Sequence, residues 1–349
     1  MRLTSRSDTV SCMERCLYTY VPLNENDPPD AQTATPEHIV PYALGGCDPF
    51  TIRYCSKKAN NDFGSDIDAP FIALPLVGFK RHTVGIKSYS GIVPDIVFRG
   101  QCVELQKPCN IVFPYQGAVY ADFPPEVTGG IDVGQISFGG NEERLRGPIE
   151  SLIKKANRKG RTLLGGAQLE PLATFEEAVE AAVKSTGQTL HFRMNLGWDA
   201  FTVPWTRGIV KMALGLGAYA LGRSWAFSAA ADALRSCLVC SVSSLPHLSL
   251  RGTAVGRLPD EIARMLDIQP GRHTLAVLPY EKEMVACISL FGGELFDGII
   301  NLGDGPADIR TVNETLPKSW ECVFHIDPAT RTLTTRTLAD VDRARGLDE

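Results

Sequence analysis

The sequence predicts an α+β protein, with strands near both ends of the chain and helices in the middle. Three observations predict this class. Up to about residue 100, the chain consists of short segments that are interrupted by Gly, Pro and Asp. The region from about 141 to 242 is rich in apolar runs with helical periodicity. After Pro246, polar and apolar residues alternate. We expect four regions: 1–100, a β-rich connector at 101–140, a helical region at 141–245, and an α+β region with antiparallel strands at 246–349.

The composition is that of a globular protein with more than one domain. The chain has 349 residues and a net charge of −5, so basic groups that bind nucleic acid would have to be local. No signal-peptide core precedes the first strand, and the ten cysteines of so long a chain indicate a reducing cytoplasm. The apolar stretch from Met212 to Leu221, flanked by Lys211 and Arg223, is too short to cross a bilayer, so no membrane partner is expected.

Residues 36 to 72 are predicted to form a strand, a long turn, a second strand and a helix. PEHIVPYALGG ends a strand at Pro41 and Gly45-Gly46, TIRYC favours a strand, and SKKANND begins as a helix does. Neighbouring side chains of a strand point to opposite sides, so Glu37 and His38 can do two different jobs on one substrate. The alternative is a polar strand end with a solvated His.

The later elements are predicted from periodicity and turn signals. Strands are expected in NIVFPY, GAVYADF and VGQISFGG, and a capped helix in TFEEAVEAAV. WTRGIVKMALGLGAYALG and SWAFSAAADALRSCLVC are predicted to be two packed apolar helices joined near Gly222. HTLAVLPY, EMVACISLFG and ELFDGIINLG alternate and are separated by short turns, which predicts an antiparallel meander.

Glu37 and Asn60 offer the oxygen ligands that a hard divalent cation prefers. Asn60 follows His38 by 22 residues, in the first turns of the predicted helix. A carboxylate and an amide oxygen suit Mg²⁺, which keeps several waters and borrows phosphate oxygens. His38, on the other side of the strand, would remain free as a general base for water that attacks a phosphodiester.

The same residues resemble the motif of the HNH endonucleases, which have the ββα-metal fold. EHIVPYALGG followed by CSKKANNDFGSDIDAPF is similar to one branch of that family, and the likeness covers about residues 36 to 72. It implies an N-terminal HNH module in which Glu37 and Asn60 bind Mg²⁺ or Mn²⁺ and His38 is the general base. It also implies DNA as the substrate, with a role either in restriction or defence against foreign DNA or in a homing or mobile element.

Two features depart from the family pattern. Many relatives bind a structural zinc with two Cys-x-x-Cys pairs, whereas Cys12 and Cys16 are spaced by three residues and only Cys55 remains of the second pair. A structural zinc is therefore not expected, unless Cys47 completes the set. The turn reads GGCDPF and lacks the Asn that braces it in relatives, so Asp48 would take that role.

Basic residues flank the proposed ligands and are predicted to contact phosphates, with a solvated surface as the alternative. They are Arg53, Lys57, Lys58, Lys80 and Arg81. The basic run at 154–161 is either a DNA-contacting arm or an exposed linker. Asp68 either orients a ligand or pairs with a neighbouring cation, and the structural role is preferred. The histidines other than His38 are expected to be structural.

Two other functions remain open at this point. One is a non-catalytic nucleic-acid-binding or sensor protein built on the same scaffold. The other is an RNase, because a metal ion and a base do not discriminate against a 2′-hydroxyl group. The helical and C-terminal regions would supply substrate selection or the contacts of a homo-oligomer.

Overall fold

The computed structural model of the protein describes most of the chain. The described residues are 14–26, 28–103, 105–124, 126–130, 135–139, 142–160, 163–165, 170–172, 174, 176, 192–194, 198–239, 250–251, 258, 260–280, 283–304 and 322–344. The chain divides into two compact units: Met1–Pro94 together with Trp198–Glu349, and Asp95–Gly197. The predicted helical region, 141–245, therefore contributes to both units.

The first unit begins with two antiparallel strands. Strand β1 (Ala34–His38) pairs with β2 (Thr51–Ser56), and a short 3₁₀ helix, Tyr42–Leu44, lies in the turn between them. Gly45 has a φ of 89°, which only glycine adopts without strain, and a Cβ there would overlap Pro328. Gly45 thus lets the turn close against the C-terminal part of the unit, and Gly46 lets it close on Val40 within the turn.

A helical segment follows β2 directly. Helix α1 (Lys57–Phe63) is capped by Ser56, whose hydroxyl accepts a hydrogen bond from the Ala59 amide (3.2 Å). The chain continues through a π-helical turn, Gly64–Asp68, into α2 (Ala69–Ile72). Helix α3 (Pro75–Val84) completes this part. The predicted order of strand, long turn, strand and helix is confirmed, and residues 34–63 are called the ββα segment below.

Among the described residues of the second unit are two small sheets and one long helix. One four-stranded sheet is antiparallel and has the order β10-β3-β4-β5. The other has the order β6-β7-β8-β9 and is mixed, because β7 and β8 pair in parallel. Buried Ile96, Phe98, Cys109 and Ile111 form the core of the first of these sheets. The elements are β3 (Ile96–Cys102), β4 (Lys107–Phe113), β5 (Tyr120–Asp122), β6 (Glu126–Gly130), β7 (Gln135–Gly139), α4 (Glu142–Arg158), β8 (Leu163–Gly165), β9 (Glu170–Leu172) and β10 (Phe192–Met194).

The chain returns to the first unit with two apolar helices. Helix α5 (Trp198–Ala226) is interrupted at Gly222 (φ 81°), where the sequence predicts the junction. Helix α6 (Ala229–Val239) follows after a short turn. None of the described helices is both long and apolar enough to cross a lipid bilayer. The helix predicted in TFEEAVEAAV lies outside the described residues.

The C-terminal part of the first unit is a six-stranded antiparallel sheet of order β11-β14-β13-β12-β15-β16. Its three central strands coincide with the predicted meander, so the α+β class and the C-terminal antiparallel sheet are confirmed. The elements are β11 (Leu250–Arg251), α7 (Asp260–Met265), β12 (His273–Tyr280), β13 (Glu283–Leu290), β14 (Phe296–Asp304), β15 (Cys322–Asp327), β16 (Thr332–Thr337) and α8 (Leu338–Ala344).

One hydrophobic core joins the ββα segment to helix α5 and the C-terminal sheet. Phe50, in the turn before β2, packs against Tyr219 (centroid distance 5.1 Å) and Phe324 (4.8 Å). The Tyr54 hydroxyl donates a hydrogen bond to the Ala218 carbonyl (2.7 Å). The ββα segment is therefore an integral layer of the first unit, and its buried face lies against α5.

Candidate active site

Glu37 and His38, at the end of β1, enter different surroundings. The Glu37 side chain is 6% exposed and contacts helix α5, whereas the His38 side chain is 17% exposed and contacts Asp48 in the turn. The alternation of a strand accounts for this, because adjacent side chains leave opposite faces. The sequence predicts that the two side chains lie on opposite faces, but it does not predict which residue contacts Glu37 on the buried face.

A buried lysine of helix α5 binds Glu37. The Lys211 ammonium forms salt bridges with Glu37 Oε1 and with Asp68 Oδ2, the latter at 2.6 Å. Burial alone would lower the pKa of Lys211, but the carboxylates of Asp68 and Glu37 outweigh it and raise that pKa. Lys211 is therefore charged at neutral pH, and Asp68 has the predicted role of pairing with a cation.

The two carboxylates are not fully neutralised by one ammonium group. Burial raises the pKa of Glu37; Lys211 opposes that effect and Asp68 adds to it. Asp68 Oδ1 is buried and has no hydrogen-bond partner among the described residues. Such an orphaned acceptor is costly in a protein interior, which makes it a candidate contact for a further donor or a cation.

His38 forms a pair with Asp48 on the exposed face. Its Nε2 lies 3.0 Å from Asp48 Oδ1. An ionised carboxylate can only accept, so Nε2 donates, and Nδ1 of the neutral ring keeps its lone pair. The Asp48 carbonyl accepts a hydrogen bond from the Thr51 hydroxyl (3.2 Å), but this backbone contact does not depend on the Asp48 side chain, so bracing of the turn by that side chain stays a prediction. This arrangement leaves one ring nitrogen available as a base.

Asn60 is anchored on strand β1. Its Nδ2 donates to the Pro36 carbonyl (3.0 Å) and lies 3.3 Å from the Thr35 hydroxyl. These contacts engage the amide nitrogen and leave the amide oxygen for a ligand. Asn61, the other candidate in the sequence, is exposed. The structure thus brings Asn60 to the strand that carries Glu37 and His38.

The basic residues predicted to contact phosphates differ in their exposure. Arg53, Lys57 and Lys58 are exposed, and Lys58 pairs with Asp62 one helical turn away. Lys80, in contrast, forms a salt bridge with Glu294.

Arg81 is buried, with 7% of its surface exposed, and burial lowers its pKa. The position of Arg81 does not support a phosphate contact, because a buried guanidinium cannot reach the surface without rearrangement. In the second unit, four cations of the basic run are exposed at the end of α4: Lys154, Lys155, Arg158 and Lys159.

The cysteines near the ββα segment are buried. The Cys55 thiol hydrogen-bonds to Cys16, which lowers the pKa of Cys16 to about 4 and raises that of Cys55. Cys47 is buried as well, and Cys12 lies outside the described residues.

Within the part of the chain that the structure describes, no group of three or more His, Cys, Asp and Glu side chains is placed to bind a metal ion. The predicted magnesium ligands, Glu37 and Asn60, include only one such residue. Water and phosphate oxygens would therefore have to fill the other positions around the ion.

Sequence reasoning missed Lys211 as a member of this site. The residue was noted only as a charge that flanks the apolar run from Met212 to Leu221. A single lysine inside a helix whose neighbours Val210 and Met212 are both fully buried requires a buried anionic partner. That requirement is a usable signal, but it does not say which carboxylate will be the partner.

We compared the chain with models of protein families, with curated proteins and with solved structures, and found no match in any of the three.

Proposed function

We propose that the protein is a metal-dependent endonuclease of the HNH type that hydrolyses DNA phosphodiester bonds. The observation that supports this most is the His38–Asp48 pair (3.0 Å) at the open end of β1, on a strand to which Asn60 is also bonded. A base oriented by a carboxylate, beside an amide ligand, suits hydrolysis by an activated water. The resemblance of residues 36–72 to the HNH motif supports the choice of a phosphodiester. Restriction or defence against foreign DNA is the biological role that this resemblance suggests.

His38 would act through its free nitrogen. Nδ1 takes a proton from the attacking water, and the imidazolium that forms remains hydrogen-bonded through Nε2 to Asp48. Asp48 thus holds the ring in the same orientation before and after it takes up the proton. Both effects need only the geometry already present between these two side chains.

The donor types at the site fit a hard divalent cation. Glu37 and Asn60 would hold it, with one carboxylate and one amide oxygen. Asp68 bonds to the same Lys211 ammonium as Glu37 through Oδ2, while its buried Oδ1 has no hydrogen-bond partner among the described residues. When bound, Mg²⁺ or Mn²⁺ polarises the scissile phosphate and stabilises charge on the leaving oxygen. Lys211 competes for Glu37 Oε1, so Asp68 provides a second carboxylate to which the ammonium can remain bonded.

The test is incubation of supercoiled plasmid with the full chain in Mg²⁺, in Mn²⁺ and in EDTA. We expect metal-dependent nicking or linearisation, lowered about 10²- to 10⁴-fold by His38→Ala. The matched control is His38→Gln, whose amide can still donate to Asp48 but cannot take up a proton. It should be as inactive as His38→Ala while DNA binding is kept. Full activity in either variant would exclude His38 as the base.

A non-catalytic nucleic-acid-binding protein is the second candidate, and one observation favours it. Glu37 Oε1 is already bonded to a buried ammonium, which supplies the positive charge that a metal would otherwise bring. If this candidate is right, plasmid stays intact with both metals, while labelled DNA is still retarded in a gel. Labelled DNA and RNA strands of one sequence, assayed side by side, separate a DNase from an RNase.

A further inference from the structure

Tyr89 presents a largely open aromatic ring, with 76% of its surface exposed. It lies in a tight turn after helix α3, where the Ser88 amide donates to the Ile92 carbonyl (2.8 Å). Gly91 has a φ of 78° in that turn, a conformation that suits glycine. The backbone around Tyr89 is therefore fixed by its own hydrogen bonds, although the ring faces solvent.

The inner face of the Tyr89 ring stacks on Tyr42. The two rings are 3.8 Å apart between centroids and only 7° from parallel. The Arg331 guanidinium also lies 3.8 Å from the Tyr42 centroid, and since two groups cannot share one face at that distance, it must cover the opposite face. The layers are thus Arg331, Tyr42 and Tyr89, and the next position in the stack is the outer face of Tyr89.

The guanidinium under this stack is held by backbone groups. Arg331 Nη2 donates to the Lys87 carbonyl (2.5 Å) and to the Tyr42 carbonyl (3.3 Å). These bonds tie the turn that carries Tyr89 to the turn that carries Tyr42. The platform is therefore rigid before any ligand binds, which lowers the entropy cost of stacking.

The stack begins beside the proposed general base. The His38 ring lies 5.6 Å from the Tyr42 ring, in an edge-to-face contact. Lys87, next to the turn, is exposed and offers a positive charge to a phosphate. Burial, followed by the effects of Tyr42 and Asp48, raises the pKa of Tyr89, so its phenol stays neutral and does not repel the backbone of a nucleic acid.

A flat, neutral ring with one free face and a nearby cation is the kind of surface that stacks a nucleobase. Inside a duplex both faces of each base are covered by its neighbours. Only an unpaired, terminal or extruded base has a face free to stack on a protein ring. The geometry therefore selects for nucleic acid that is single-stranded at this point.

We propose that the outer face of Tyr89 is a stacking site for an unpaired nucleobase, next to the phosphate that His38 would act on. The substrate class is then single-stranded DNA, or duplex DNA with an unpaired or extruded base near the cut. The position of the phosphate rests on the proposed nuclease function, whereas stacking on Tyr89 can be measured without any cleavage.

The experiment uses the full-length His38→Gln protein in EDTA, with oligonucleotides that contain the fluorescent base 2-aminopurine. Three probes of one sequence are compared: a single strand, a fully paired duplex, and a duplex in which the 2-aminopurine is unpaired. Stacking quenches this fluorophore. We expect quenching with the single strand and the unpaired duplex, and about 5- to 100-fold weaker binding of both after Tyr89→Ala, the range for loss of one base–aromatic stack.

Two further variants separate stacking from general apolar contact. Tyr89→Trp keeps an aromatic face and should bind at least as well as the parent, whereas Tyr89→Leu should behave like Tyr89→Ala. Tyr120→Ala, which removes a tyrosine that is 45% exposed in the second unit, is the matched control and should leave binding unchanged. Thermal unfolding of each variant confirms that the fold is kept.

The proposal is overturned if Tyr89→Ala binds the single strand as the parent does, or if it weakens the fully paired duplex equally. It is also overturned if Tyr89→Ala changes only the oligomeric state in sedimentation, because a second copy of the chain would then cover the ring. Equal quenching and equal affinity with an RNA single strand would support a stacking site that does not distinguish ribose from deoxyribose. Tyr89-dependent quenching without plasmid cleavage by the parent would reject the nuclease and retain the stacking site.

Discussion

The two faces of strand β1 differ more than the adjacency of Glu37 and His38 suggests. On the buried face, Glu37 and Asp68 share the Lys211 ammonium, whose side chain is 3% exposed. On the open face, His38 pairs with Asp48, whose side chain is 88% exposed. Both faces contain a carboxylate and a basic group, yet the side chains of the buried face are at most 18% exposed, whereas the Asp48 carboxylate lies almost fully in solvent.

The exposure of each pair to solvent determines how much the pair contributes to stability and whether it can take part in proton transfer. An exposed pair costs little to desolvate and is worth about 1 kcal/mol or less, so Asp48 can orient His38 without immobilising it. A buried pair has lost its hydration, and removal of one partner leaves an uncompensated charge. The difference indicates that the buried face connects the ββα segment to helix α5, while the open face is free for proton transfer.

The largest effect on stability is expected from Lys211→Met. This change leaves the buried Glu37 and the half-buried Asp68 without their cation, which should lower the free energy of unfolding by about 3 to 5 kcal/mol. Urea unfolding at neutral pH, followed by circular dichroism, measures it. A loss below about 1 kcal/mol would mean that the ammonium is not buried between the two carboxylates.

A charge-neutral version of the buried face is the control for that prediction. The triple variant Glu37→Gln, Lys211→Gln and Asp68→Asn removes all three charges but keeps side chains of similar size. Because no uncompensated charge remains, it should recover most of the stability lost by Lys211→Met. It should still lack metal-dependent cleavage, since the Glu37 carboxylate is gone.

Local signals in the sequence were sufficient for the ββα segment and the meander. Pro41 and the Gly45-Gly46 pair mark the end of β1, and alternation between 273 and 304 gives the central strands of the sheet. Gly222 marks the interruption of helix α5. These features are set by neighbours within a few residues, so a single sequence contains them.

The partners across the fold could not be predicted in the same way. Lys211 meets Glu37 and Asp68 only after α5 packs on β1, more than 140 positions away along the chain. The stack of Tyr42 on Tyr89 depends on how two turns and Arg331 come together. The residue types in a sequence limit which kinds of contact are possible, but tertiary packing determines which residues form them.

The second largest effect is expected from acidification, through His273 in strand β12. Its Nε2 bonds to the Leu44 carbonyl (2.8 Å) and its Nδ1 accepts from the Phe291 amide (3.2 Å), which ties the LGG turn to the sheet. Burial lowers the pKa of His273 from 6.5 to about 4. Between these values the unfolded chain binds more protons, so stability should fall by about 3 kcal/mol as the pH drops from 6.5 to 4.

His273→Gln tests that contribution, because an amide can replace both hydrogen bonds but does not titrate. Urea unfolding of the parent and the variant at pH 7, 5.5 and 4.5 gives the difference in stability at each pH. As the pH falls, the free energy of unfolding of the parent should decrease relative to that of the variant. A difference that stays constant with pH would show that His273 is not held neutral in the folded protein.

The smallest effect is expected at Asp48. Because its side chain is 88% exposed, its pair with His38 is worth about 1 kcal/mol or less, so Asp48→Ala should lower the cleavage rate by no more than about fivefold. The same change on the buried face, Asp68→Ala, should instead act on the free energy of unfolding. Cleavage rates at low and high salt check the assignment, since screening should remove the contribution of an exposed pair. A loss of about 10² or more after Asp48→Ala, unaffected by salt, would mean that substrate binding buries this pair and that the open face closes around the DNA.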